Sequence, residues 1–159
     1  TSVRATKPPF TIMGSLDGIE AGLRQMRRTR PLETAKVDLG GGLTVVAPTE
    51  PEALRVKGYL VVQRNVVRDY LDVVALSEHL GHDAAATILA AIDEYYDDRS
   101  DTSGSVVTSL ALALADPTPR DTRVIAELSR SKNLDERWHD WNEVVRVCRD
   151  LAREISGAT

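Results

Sequence analysis

Apolar positions along this chain recur mostly at intervals of three and four, the period of a helix, with an interruption of alternating pattern near its first third. The opening residues contain Lys7-Pro8-Pro9, which reads as extended chain or an edge strand. Ser15 is placed to cap a helix running to about Arg28, with Leu16, Ile19, Leu23 and Met26 on one face and Pro31 as its stop. Two strands follow, residues 32–39 and 43–47, joined by Gly40-Gly41-Gly42. A triple glycine also invites a phosphate-loop reading. No Lys-Ser/Thr follows it and the next segment is a strand, so a plain turn is favoured.

Pro48-Thr49-Glu50-Pro51-Glu52 is a helix start: Thr49 can cap, Pro51 sits in the first turn, and Glu50 and Glu52 suit its positive end. The pattern then runs unbroken to Leu80, predicting one helix of about 28 residues, on the order of 40 Å long. Gly81 ends it. Further helices are expected over residues 83–97, 103–115, 119–130 and 134–155. The one over 103–115 is apolar nearly all round, so burial is expected. The last places Leu134, Trp138, Trp141, Val145, Cys148, Ala152 and Ile155 in an a/d seam. That seam packs on neighbouring helices or serves a partner or oligomer, since two tryptophans suit an interface.

Composition narrows the field. With 4% aromatic residues, the core must be built of Val, Leu, Ile and Ala. One cysteine excludes an internal disulfide and four-cysteine zinc sites. No apolar run reaches the length of a transmembrane helix and no signal pattern opens the chain, so a cytoplasmic location is the default expectation. Residues 1–80 carry 11 Lys/Arg against 9 Asp/Glu, and residues 81–159 carry 9 against 15. The acidic second half argues against a nucleic-acid coat but leaves room for a local basic patch. Arg24, Arg27, Arg28 and Arg30 form such a patch and are a candidate RNA contact; cations at a helix C-terminus also suit the macrodipole. His79, His82 and His139 share no ligand spacing and are expected in structural or solvent roles.

On the long predicted helix, Lys57, Arg64, Arg68 and Asp72 fall within about 80° of one another at 100° per residue. The opposite side is apolar, with Val56, Tyr59, Leu60, Val66, Tyr70 and Val74 among its residues. Arg68 and Asp72 make an i, i+4 pair. Arg64 and Arg68 are like charges at that spacing and ask for an anion, either a carboxylate from elsewhere or a phosphate.

The string Val45-Val46-Ala47-Pro48-Thr49-Glu50, then Lys57-Gly58-Tyr59-Leu60-Val61-Val62-Gln63-Arg64, then Arg68-Asp69-Tyr70-Leu71-Asp72, resembles the AbiEii/AbiGii toxin family of nucleotidyltransferases. Leu60 stands where that family commonly has Ala, and Arg68 where Lys is frequent. The resemblance implies an α+β, DNA-polymerase-β-like nucleotidyltransferase fold: a small mixed sheet over 1–50 followed by a mostly helical lobe over 51–159. It implies catalytic roles for Lys57, Asp69 and Asp72, and substrate binding by Arg64 and Arg68. A Mg²⁺ cofactor, an NTP, a tRNA or other RNA acceptor and a cognate antitoxin would be its companions, with no membrane. The toxin would transfer nucleotides to the acceptor, plausibly at a tRNA 3′ end.

The Gly-Ser turn and Asp-x-Asp strand that would hold Mg²⁺ are absent: Gly14-Ser15 is followed by Asp17, Glu20, Glu33 and Asp38 at unsuitable spacing. Either a preceding segment carries the motif, which the family's order favours, or the chain is a degenerate member. The alternative function is a non-catalytic interaction module of the same fold, holding a protein partner through the Trp138/Trp141 helix.

Overall fold

The computed structural model describes residues 2–6, 11–24, 28–96, 104–131 and 134–158. Two small antiparallel sheets come first. Strands β1 (Ser2–Thr6), β2 (Thr11–Leu16) and β3 (Ile19–Arg24) form one, and β4 (Thr34–Gly40) with β5 (Leu43–Pro48) forms the other. The expected helix over 15–28 is not there. Asp17 and Gly18 both take positive φ, 52° and 82°, and close a two-residue hairpin turn between β2 and β3. An Asp-Gly pair between alternating apolar residues is a strong hairpin signal, and it overrides the looser helical spacing. Both sheets are antiparallel throughout, where a mixed sheet was expected.

The hairpin of β4 and β5 forms where the alternation places it. Gly40, Gly41 and Gly42 all have positive φ, and the Asp38 carboxylate accepts a hydrogen bond from the Gly40 N–H at 2.8 Å. Register pairs Ala35 with Ala47 and Val37 with Val45, so one face of this hairpin is apolar. In the first sheet the rows Val3/Gly14/Ala21 and Ala5/Ile12/Leu23 alternate with the polar rows Ser2/Ser15/Glu20 and Thr6/Thr11/Arg24.

Residues from Glu50 onward build a helical body. Thr49 caps α1 (Glu50–Arg64), accepting from the Glu52 N–H at 3.3 Å. The single long helix expected to Leu80 is instead a helical hairpin. Asn65 adopts a left-handed conformation (φ 50°, ψ 59°), Val66 is extended, and α2 (Val67–Leu80) runs back along α1. Asparagine tolerates that conformation as few non-glycine residues do. Here Asn65 is also bolted down: its side-chain amide donates to Thr118 O at 2.9 Å and accepts from the Tyr70 hydroxyl at 2.7 Å. The Asp121 carboxylate takes the first free N–H of α2, that of Val67, at 2.8 Å.

The remaining helices are α3 (His82–Ala90), α4 (Val106–Ala115) and α5 (Trp141–Ala158), with 3-10 segments at Ile92–Glu94, Thr122–Arg130 and Glu136–His139. The segment expected as an α-helix over 119–130 is thus largely 3-10. Its Ile125 and Leu128 lie three apart, the spacing that eclipses in a 3-10 turn, and Leu128 is buried. Leu54, Val61, Val73, Leu89, Leu110, Leu114, Leu151 and Ile155 are fully or almost fully buried in one core shared by all five helices. Gly58 lets α1 approach closely: a Cβ there would lie 2.9 Å from Leu89 Cδ2 and 3.1 Å from Leu110 Cδ2.

Candidate functional site

The residues singled out on the predicted long helix come together, but as ion pairs across the hairpin. Lys57 Nζ reaches Asp72 Oδ2 at 2.6 Å, both side chains about one-third exposed. Arg64 grips the fully buried Asp69 carboxylate through two hydrogen bonds, Nε to Oδ2 at 3.0 Å and Nη2 to Oδ1. That carboxylate also holds the Arg64 guanidinium above its usual pKa. Arg68 is mostly solvated and lies 4.0 Å from Asp72. At the far end His79 meets Glu50 at 3.1 Å, with both groups exposed. The anion that Arg64 asked for is therefore a carboxylate of the next helix, and these rungs hold α1 antiparallel to α2. A double-mutant cycle of Lys57→Met and Asp72→Asn should give a coupling of about 1 kcal/mol in urea unfolding, shrinking in high salt. Zero coupling at low salt would contradict this reading of the rung.

The arginine patch resolves differently from a helix terminus. Arg24 ends β3, and Arg27 lies outside the described residues. Arg28 is drawn inward: it pairs with Glu52, which is fully buried, and donates to the Tyr96 hydroxyl at 2.7 Å. Arg55 bonds the same Glu52 at 2.9 Å and Glu33 at 2.8 Å, and its guanidinium lies 3.9 Å from the Tyr95 ring centroid. Arg55, then the Tyr95 hydroxyl, hold the Glu33 carboxyl below its usual pKa. Burial pushes the Tyr96 phenol up to about 12. Tyr59 stacks on Tyr96 with centroids 4.1 Å apart. Arg30 reaches Glu94 at 2.8 Å on the surface. The network joins the segment before β4 to α1 and the 92–96 turn, and it engages Arg28 and Arg30 in ion pairs of the fold. Arg55 was not singled out from the sequence, and Glu52 was read only as a first-turn acid of the helix. The i, i+3 spacing of Glu52 and Arg55 was the available signal.

The tryptophan seam faces inward. Trp138 is buried with the Arg137 guanidinium 4.6 Å from its ring, and Trp141 meets Tyr70 edge-on at 6.0 Å. Val144, Val147, Cys148, Leu151 and Ile155 fill the chain's own core. Of the two readings of this seam, the described residues show packing on neighbouring helices; Asp140, between the 3-10 turn and α5, interrupts the expected continuous helix and its heptad register.

Two apolar surfaces remain uncovered among the described residues. One is the apolar face of the β4–β5 hairpin, where Val37 and Val45 are 43% exposed and Leu39 and Leu43 about two-thirds exposed. The other is a groove of about 850 Å³ between α4 and the last turns of α5. Helix α4, expected to be buried all round, turns Val106, Leu110 and Leu114 to the core, while Leu112 on its other side is 68% exposed. Ala111, Ala115 and Ala152 line the groove, and Arg149 and Arg153 stand at it. Among the described residues no group of three or more His, Cys, Asp or Glu is placed to hold a metal ion. No helix among them is long and apolar enough to cross a membrane.

No family model and no solved structure matches the chain. Curated proteins do. The heme uptake protein MmpL11 of Mycobacterium tuberculosis is 36% identical over 126 residues, 79% of this chain and 12% of the relative. The mycolic acid-containing lipids exporter MmpL11 of Mycolicibacterium smegmatis is 35% identical over 127 residues, 80% of this chain and 13% of the relative. The probable transport protein MmpL11 of Mycobacterium bovis matches at 36% over the same share as the first. The chain thus spans about one-eighth of the length of these relatives. Their names are those of transport proteins, and this overturns the expectation of a nucleotidyltransferase toxin. The cognate antitoxin, NTP and RNA acceptor fall with it, and so does the expectation that no membrane is involved. What the comparisons establish is similarity to one stretch of MmpL11 transport proteins.

Proposed function

We propose that this chain is a module of a transport protein, one that serves transport by docking on the remainder of the protein and handling its cargo. The observation that carries the reading is the 36% identity over 79% of the chain with proteins named for transport. The uncovered surfaces support it. A two-stranded hairpin with an exposed apolar face is marginal by itself, and such a face suits burial against another part of a larger protein. The names of the relatives suggest two cargo classes for this chain: heme and mycolic acid-containing lipids.

The test is removal of the matched segment from the M. smegmatis exporter. Lipid export should fall to background while the amount of protein in the membrane stays unchanged. Undiminished export by the shortened protein would overturn the proposal.

A further inference from the structure

Helix α4 carries more apolar surface than its own core uses. Along about 12 Å of its length, its outer side presents Val107, Ala111, Leu112 and Ala115 to the groove, with Ala152 and Ile155 of α5 opposite. A groove of about 850 Å³ is within the size range of small-molecule sites. Among the described residues its lining contains two arginines and no acidic residue. Arg153 is paired with Asp150 at 2.6 Å. Arg149 is not paired with any carboxylate among the described residues; its Nε donates to Ala115 O at 3.3 Å, which holds the guanidinium at the C-terminal end of α4. The site is an apolar trough with a cation at one end, complementary to an apolar chain that ends in an anion.

We infer that the groove binds a long-chain fatty acid, its acyl chain in the trough and its carboxylate against Arg149. The inference rests on the transport reading for its two candidate cargo classes, and the lining chooses between them. No His, Met, Cys or Tyr among the described residues lines the groove, so heme iron would find no usual axial ligand in that lining. Small alanines along the floor admit a slender chain, and a guanidinium matches a carboxylate in both charge and geometry.

The experiment titrates the full 159-residue chain with cis-parinaric acid and displaces it with palmitate, with hexadecanol and with heme. Saturable binding of one probe per chain is expected, displaced by palmitate. Leu112→Glu, at an exposed position, should leave the melting temperature unchanged and weaken palmitate about tenfold by placing a carboxylate beside the chain. Arg149→Gln should weaken palmitate several-fold and leave hexadecanol unchanged. Absence of saturable binding, binding to Leu112→Glu as tight as to the native chain, or heme displacing the probe more tightly than palmitate would each overturn the inference. Because this binding is measured on the chain alone, it fails or succeeds separately from export by the shortened transporter.

Discussion

Glu52→Ala should cost about 3–5 kcal/mol and lower the melting temperature by on the order of 10 °C. Glu52 is fully buried in the first turn of α1, and its two oxygens take Arg28 and Arg55. Both guanidinium side chains are nine-tenths buried, and Arg28 Nη2 and Arg55 Nε already have no hydrogen-bond partner among the described residues. Removing the carboxylate would leave two cations in a poorly solvated site, with Glu33, the Tyr96 hydroxyl and the Arg30 carbonyl among their remaining partners. The penalty is that of uncompensated buried charge, which exceeds the net worth of the pair. Local loosening should follow the same path. Amide exchange should rise first over residues 28–33, which Arg28 and the Thr29 N–H bond to Tyr95 O hold against the helices. Glu50→Ala, two residues away but at an exposed pair with His79, should stay within about 0.5 kcal/mol. Similar losses for the two variants in urea unfolding would refute the network's role.

The second large effect is expected at the hinge. Asn65→Ala should cost about 2–4 kcal/mol, the sum of a non-glycine residue held at positive φ and of two lost side-chain bonds. It would strip the Tyr70 hydroxyl and Thr118 O of their partner while leaving the backbone conformation strained. Asn65→Gly should recover part of that cost, because glycine takes the conformation freely and only the side-chain bonds are lost. The ordering native, then Gly, then Ala is the diagnostic result. An Ala variant as stable as native would mean that α1 and α2 run as one helix and that the hairpin does not exist.

That hinge marks where the sequence was hardest to read. From Lys57 to Asp72 the apolar spacing is continuous, because each arm of the hairpin buries a face on the same core and neither needs a glycine or proline at the bend. The bend is carried by Asn65 and by Asp121, and Asp121 lies over fifty residues away. A wheel drawn through Asn65 therefore put Lys57, Arg64 and Asp72 on one face as neighbours, where the fold sets Lys57 opposite Asp72 and Arg64 opposite Asp69 as pairs. Local signals did better. Thr49 caps α1, Gly81 ends α2, and the triple glycine turns β4 into β5 because each acts on its own immediate backbone. The β2–β3 hairpin was equally local, in Asp17-Gly18, and was obscured by a Ser15 that could have been a cap. Of the candidate site, the charged residues could be read but not their partners. The groove could not: α4 looks uniformly apolar in sequence, and only packing decides which of its sides is left open.

Function is tested most directly by exchange in a living transporter. The matched segment of the M. smegmatis exporter would be replaced by this chain, and lipid export measured against the parent and the segment-deleted protein, with each present in the membrane at the same level. If this chain is a transport module, the chimera exports close to the parent. Export no better than that of the deleted protein would contradict it.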